Sequence, residues 1–289
     1  MGTKRSILIG RIVSTICLLI LGVIWILPLI WALGASFKPD TITDINQIFP
    51  SPDNWTFEWY QLLFSFDGEY PVLRWILNSF VVGCIHTLLY LIIVSFAAYA
   101  LVFLDWKFKN AIFTVVVSSM MFPGIITLVP LYNLFNSLGI AGNPTWVYLI
   151  GCILPGLGGV FGLFLIRQFF LGLPKELVEA CKVDGCNNFQ IFFRVILPIG
   201  KNAIFVAAIF AFLGNWNDYL WPQLIASGGV DVLGREWLTL PVGLSVLVSG
   251  RTGDTSPLAG AVISAIPVMI VYLFAQKYII NGVSRSGIK

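Results

Sequence analysis

Asn215, Trp216, Asn217, Asp218 and Tyr219 bring two amides, a carboxylate and two aromatic rings together at the end of an uncharged stretch. Amides and carboxylates hydrogen-bond hydroxyl groups, and aromatic faces pack on CH groups, so the set suits a neutral, polyhydroxylated solute. Helix packing and anchoring at the membrane surface explain the same residues without any solute. Asp218 needs a partner or a wet position, because a charge at the centre of a bilayer costs at least ~2.5–3.5 kcal/mol. His86 is the only histidine, and a hydrogen-bonded packing role fits it better than proton transfer. No acid, base and nucleophile cluster together elsewhere in the sequence. Cys181 and Cys186, with no histidine or second cysteine pair nearby, do not have zinc-site spacing. A phosphate-binding loop is also missing: the only Gly-Lys pair, Gly200-Lys201, is followed by Asn202 and has Val195 where the first glycine belongs.

The elements that must position these residues are apolar helices. Of 289 residues, 58% are hydrophobic and only 11% are charged, against roughly 25% charged in an ordinary soluble domain. That composition argues against a soluble enzyme, and a net charge of +3 is too small to suggest nucleic acid. Residues 12–37 carry no ionisable group, and 111–166 is a run of 56 residues without a charge. The long run is interrupted by Pro130, Asn133, Asn136, Gly139, Gly142, Asn143 and Pro144, which read as a polar turn between two helices. The pattern predicts an all-α membrane protein with six transmembrane helices at about 12–33, 78–103, 111–131, 146–166, 203–221 and 258–277. Helices are required because lipid cannot satisfy an open backbone.

Lys and Arg orient the chain. With the N-terminus in the cytoplasm, thirteen of the 17 fall inside and four (Lys38, Arg74, Arg235, Arg251) outside, so both termini are expected to be cytoplasmic. The cytoplasmic segments are then 1–11, 167–201 and the tail 282–289, with a short link near Lys107 and Lys109. The first apolar run is too long for a cleavable signal peptide and reads as an uncleaved span. Outside lie 38–77, in which Phe57–Phe64 suits a short interfacial helix, and 222–257, where Gly228, Gly229, Gly243 and Gly250 would let the chain bend. That outer segment reads equally as a solvated surface loop.

The inner segment 167–201 is more than a connector. Pro174 suits the first turn of a helix, Glu176 and Glu179 suit its positive end, and Gly185 suits a left-handed C-terminal cap. A helix over 174–184 is predicted, with Leu177, Ala180 and Cys181 on one narrow apolar face. Asn187 or Asn188 would cap a second helix through Phe189–Ile196, interrupted at Pro198. A short exposed helix with small contact residues suits docking into a groove of another protein, and equally suits packing on its own spans.

Glu179-Ala180-Cys181, then Gly185, then Val195-x-Leu197-Pro198 resembles the E-A-A, G, I-x-L-P pattern of ABC importer permeases, with matching spacing at every position. Cys181 replaces the second alanine and Val195 the isoleucine. Leu77-Asn78-Ser79, Pro130-Leu131-Tyr132, Phe164-x-x-Arg167-Gln168-Phe169-Phe170, Trp216 to Pro222 and the tail Gly282 to Lys289 resemble the second permease subunit of carbohydrate importers of the maltose and multi-sugar type. The resemblance implies a type I ABC importer permease fold, with one transmembrane permease domain over 12–281 and alternating access to the two sides. It also implies a heterodimer with a second homologous permease subunit, two cytoplasmic ATPase subunits and an extracytoplasmic sugar-binding protein. ATP and magnesium would be held by the ATPase subunits, with no cofactor or metal and no catalytic residue in this chain. Glu179, Ala180, Cys181, Asp184, Gly185, Leu197 and Pro198 would form the ATPase-coupling motif, and 222–257 would contact the binding protein.

An ion-coupled secondary carrier of a small polar solute is the alternative. It calls for carboxylates at mid-membrane and repeat symmetry, and only Asp218 and His86 answer weakly to that description. A membrane-embedded enzyme would need a reactive cluster that the sequence lacks. Few positive charges fall in the spans, which leans against an acidic or phosphorylated solute.

Overall fold

The computed structural model describes residues 2–38, 55–64, 70–143, 145–226, 236–250 and 256–284, and the statements below concern these. Among them the chain is helical, with no strand. In chain order the first helices are α1 (Gly2–Ala35), α2 (Glu58–Leu63), α3 (Val72–Phe103), α4 (Lys109–Ser118) and α5 (Ile125–Ser137). Then come α6 (Trp146–Ile153), α7 (Val160–Leu171), α8 (Glu176–Val183) and α9 (Asn188–Ile191). A π-helical turn, Phe192–Ile196, leads to α10 (Leu197–Ile199) and α11 (Lys201–Trp216), followed by α12 (Leu220–Ala226), α13 (Leu240–Gly250) and α14 (Ser256–Ser284).

Three helices are long and apolar enough to cross a membrane unbroken: Ile7–Ala35, Val72–Phe103 and Ser256–Phe274, with mean hydropathies of 2.8, 2.3 and 2.1. They correspond to the expected spans at 12–33, 78–103 and 258–277. The other three expected spans are not single helices. At 111–131 the chain turns by 102° between α4 and α5. Phe122 is extended (φ −81°, ψ 125°) because it precedes Pro123, whose ring excludes the helical conformation from the residue before it. The stretch 146–166 is interrupted over 154–159, where Pro155 is followed by Gly156 in a left-handed conformation (φ +78°). The stretch 203–221 breaks after Trp216 and resumes as α12 at Leu220. If each bent pair counts as one span, the described residues supply up to 5.

The chain forms two compact units, residues 1–72 with 244–266 and residues 73–243 with 267–289. In the first, α2 docks on the end of α1. Ser36 Oγ donates to the Leu33 carbonyl (2.7 Å) and accepts from the Tyr60 hydroxyl (2.6 Å). Trp59 Nε1 donates to the Lys38 carbonyl (2.7 Å), and the Phe37 ring lies 5.1 Å from Trp55. The short interfacial helix expected at 57–64 therefore forms as α2. Within the same unit Gly260 brings α14 close to Leu244 and Leu247 of α13.

In the second unit a continuous apolar cluster runs through α3, α7, the 176–196 segment and α11. It includes Val94, Ala98, Ile166, Phe170, Val178, Ile191, Phe192, Ile196 and Ala207. Phe96 stacks on Phe192 at 4.5 Å, and Tyr99 meets the same ring edge-on at 5.3 Å. The 176–196 segment is thus packed into the helix core rather than suspended from it.

Candidate functional site

Two places collect the residues singled out in the sequence. The first is α8. It spans Glu176–Val183, inside the 174–184 expected. Gly185 takes φ +80°. The Cys186 N–H bonds the Cys181 carbonyl (2.9 Å) and the Gly185 N–H bonds the Lys182 carbonyl (3.1 Å), the paired bonds of a Schellman cap. Asn187 then opens α9 with a reciprocal capping box: its Oδ1 accepts the Gln190 N–H (2.9 Å), and Gln190 Oε1 accepts the Asn187 N–H (2.8 Å).

Most of the apolar face expected through Leu177, Ala180 and Cys181 stays open, and the face that α8 buries centres on Val178. Val178 is only 4% exposed and Cys181 is half-buried against the same cluster, while Leu177 and Ala180 are exposed. The cause is helical phase. Val178 and Cys181 stand at i and i+3, and the Schellman turn returns Cys186 to the cluster they join. Burying Val178 stabilises the docking of α8 by about 1.5–3 kcal/mol. What remains outward is Leu177, Ala180 and, at 88% exposure, Val183, flanked by Glu176, Glu179, Lys182 and Asp184. Farther on, Leu197 packs partly on the cluster and Pro198 lies exposed in the first turn of α10. At Gly200 the helix axis bends by 79°.

The second place is a cavity of about 270 Å³ in the second unit, where α3, the 154–159 break, α7 and the α11–α12 break meet. His86 Nδ1 donates to the Ile153 carbonyl (2.8 Å), so that nitrogen carries the proton. Asn215 Nδ2 donates to the Cys152 carbonyl (3.3 Å). Asp218 Oδ1 accepts the Trp221 N–H (3.4 Å), which caps the first turn of α12, and Trp221 Nε1 donates to the Gly151 carbonyl (2.8 Å). Phe161 and Phe210 meet edge-on at 5.3 Å, both partly exposed, and Tyr90 lies 6.0 Å from His86.

Of the five residues proposed for the translocation path, only Asn215 and Asp218 line this cavity. Trp216 is 3% exposed and stacks on Phe212 at 5.8 Å, a packing role. Asn217 Nδ2 returns to the Leu213 carbonyl (2.9 Å) on the outside of the helix, and Tyr219 is exposed. Trp221, in the same sequence stretch, also lines it, and Tyr90, Phe161 and Phe210 are lining residues that the run 215–219 does not include. A signal for them existed: His86 and Tyr90 are four apart, and 210, 211, 214, 215 and 218 form one helical stripe.

The outer glycines divide. Gly228 and Gly229 lie outside the described residues, as does 285–289 of the tail. Gly243 and Gly250 do not bend a loop, because both belong to α13. A Cβ on Gly243 would strike the buried Trp75 ring, and one on Gly250 would strike the Tyr70 hydroxyl, so each glycine is there for close packing. The segment 236–240 before α13 is held by α3. Arg74 pairs with Glu236, Asn78 Nδ2 donates to the carbonyls of Glu236 (2.8 Å) and Leu238 (3.0 Å), and Ser79 Oγ accepts the Leu240 N–H (2.8 Å).

A short capped helix keyed into broken apolar helices has a counterpart in known proteins. The family model of the binding-protein-dependent transport system inner membrane component matches residues 91–285. The chain belongs to that family. Among relatives of this inner membrane component, the arabinooligosaccharides transport system permease protein AraQ of Bacillus subtilis is 34% identical over 287 residues, covering 96% of both chains. The galactooligosaccharides transport system permease protein GanQ of the same organism is 30% identical over 280 residues, 96% of this chain and 94% of that one. A solved bacterial ABC transporter involved in the import of the acidic polysaccharide alginate matches with a TM-score of 0.73 over 95% of this chain and 98% of the other. At 23% identity that likeness speaks for the fold alone, the ABC importer permease fold. An inner membrane component with several apolar helices is a multi-pass protein of the cell membrane.

Proposed function

We propose that this protein is the permease subunit of an ATP-driven ABC importer that moves a sugar or oligosaccharide across the cell membrane by alternating access. One observation carries the reading. Helix α8 is capped by the Gly185 turn, fixed to its own chain through Val178 and Cys181, and offers Leu177, Ala180 and Val183 to the surroundings, the last two within the Glu179–Gly185 motif. A rigidly seated helix with an unfilled outer face transmits force from whatever grips it. The grip is that of a cytoplasmic ATPase subunit, which supplies the ATP and magnesium site. A second permease subunit completes the pore, and an extracytoplasmic sugar-binding protein delivers the cargo, its contact with this chain lying in the outer segment that contains Gly228 and Gly229. In this reading the chain crosses the membrane six times with both termini in the cytoplasm, which the Lys and Arg distribution supports. The relatives that transport arabino- and galacto-oligosaccharides support a carbohydrate cargo.

The test is uptake by proteoliposomes holding the complete complex. Vanadate should stop uptake and a protonophore should not. Deleting 176–185 should abolish uptake while the binding protein still binds sugar. Normal uptake by the deletion, or uptake driven by a proton gradient without ATP, refutes the reading and favours an ion-coupled carrier.

A further inference from the structure

The cavity beside α11 holds polar groups that the protein leaves only partly satisfied. Asp218 is half-buried within an expected span and has one long backbone hydrogen bond at 3.4 Å. Among the described residues it forms no ion pair. A carboxylate in that position is costly unless something polar meets its second oxygen. Asn215 spends its amide N–H on Cys152 and keeps its carbonyl oxygen unbonded, and His86 spends Nδ1 on Ile153 and keeps Nε2 unbonded. The three residues line one cavity, with the partly exposed Phe161–Phe210 pair also in its wall. Hydrogen-bond acceptors gathered beside aromatic rings are complementary to a ring that carries hydroxyls at its edge and CH groups on its face. At about 270 Å³ the space lies below the ~300–1,000 Å³ of pockets for drug-sized ligands, so it holds one sugar ring and not a whole oligosaccharide.

We propose that this cavity is a subsite for a single neutral glycosyl ring, with Asp218 and Asn215 accepting from its hydroxyls, His86 Nε2 beside them, and Tyr90, Phe161 and Phe210 against its CH face. The subunit then contacts cargo directly and contributes to selectivity, and the negative charge of Asp218 disfavours uronic acids and sugar phosphates. The proposal rests on the importer reading above.

Gly214 gives a way to fill the cavity without disturbing the fold. It lines the space, and a Cβ built on it meets nothing within 4 Å. The experiment uses the complete complex in proteoliposomes, with arabinotriose, galactotriose and maltotriose as neutral probes and trigalacturonate as the acidic one. Gly214→Leu should lower uptake of the neutral probes about tenfold or more, with Gly214→Ala intermediate. Asp218→Asn keeps an acceptor for the Trp221 N–H and removes the charge, so it should raise trigalacturonate uptake relative to galactotriose by about tenfold. Wild-type rates and an unchanged acidic-to-neutral ratio in the assembled Gly214→Ala and Asp218→Asn complexes overturn the subsite and leave the importer reading standing. A wild-type complex that moves none of the four probes under ATP overturns the sugar-importer reading, and the subsite with it.

Discussion

Asn78 Nδ2 donates to the carbonyl of Leu238 at 3.0 Å, across 160 positions of sequence. The same nitrogen reaches the Glu236 carbonyl, and the neighbouring Ser79 accepts the Leu240 N–H. Asn78 and Ser79 are therefore a clasp that holds the 236–240 segment onto the first turns of α3. Asn78→Ala leaves two carbonyls without this donor, at a cost of about 1–3 kcal/mol. Amides around 238–243 should exchange faster by hydrogen–deuterium exchange, with those of α8 unchanged.

Tyr90 lies so close to Gly159 and Gly162 that a Cβ on either would overlap its ring or hydroxyl. Gly162→Ala should cost about 1–3 kcal/mol through overpacking. The apparent melting temperature in detergent should fall by roughly 2–4 °C for each kcal/mol. Tyr90→Phe in the same background removes the nearest atom and should restore part of the loss. Equal melting of single and double variants would show that the two helices can slide apart at no cost.

Two valines of α8, one buried and one exposed, should behave oppositely. Val178→Ala opens a gap in the cluster beneath the helix and should lower thermal stability by about 1–3 kcal/mol. Val183→Asp, at a site 88% exposed, should leave thermal stability within about 0.5 kcal/mol of wild type. It should instead weaken co-purification of the ATPase subunit and lower uptake. Loss of stability without loss of co-purification at Val183 would contradict the outward role of this face.

The box that opens α9 has a local signature. Asn187→Ala removes the acceptor for the Gln190 N–H and should cost about 1 kcal/mol. Because the bond is exposed and local, the effect should appear as faster proteolytic cleavage near 184–188, with little change in global melting.

What could be read in advance follows from how each signal arises. The apolar runs were legible because burial in lipid acts on composition alone. Helix α8 was legible because its first-turn glutamates and capping glycine are local signals, although Pro174 lies just before the helix rather than in its first turn, and Asn187 caps the next helix as its residue type suggests. The breaks at Pro123 and at Pro155-Gly156 were hidden, since a hydropathy window does not register backbone geometry. The buried face of α8 is not legible in the sequence, because Leu177 and Val178 differ little in apolarity and only the cluster under α8 selects between them. Asn215 and Asp218 stand out only within a contiguous run of candidates. Helical phase would have kept these two, set Trp216, Asn217 and Tyr219 aside, and drawn in Phe210 and Gly214.

Helices α4 and α5 contain ten and thirteen residues, and at ~1.5 Å per residue neither reaches across ~30 Å of hydrocarbon. Their 102° elbow leaves peptide groups without helical partners at a depth where oil supplies none. Met121 and Phe122, on either side of the turn, are largely uncovered. A newly inserted copy is therefore an unfinished object that tolerates its own kink only when another polypeptide or a water-filled lumen comes to lie against it.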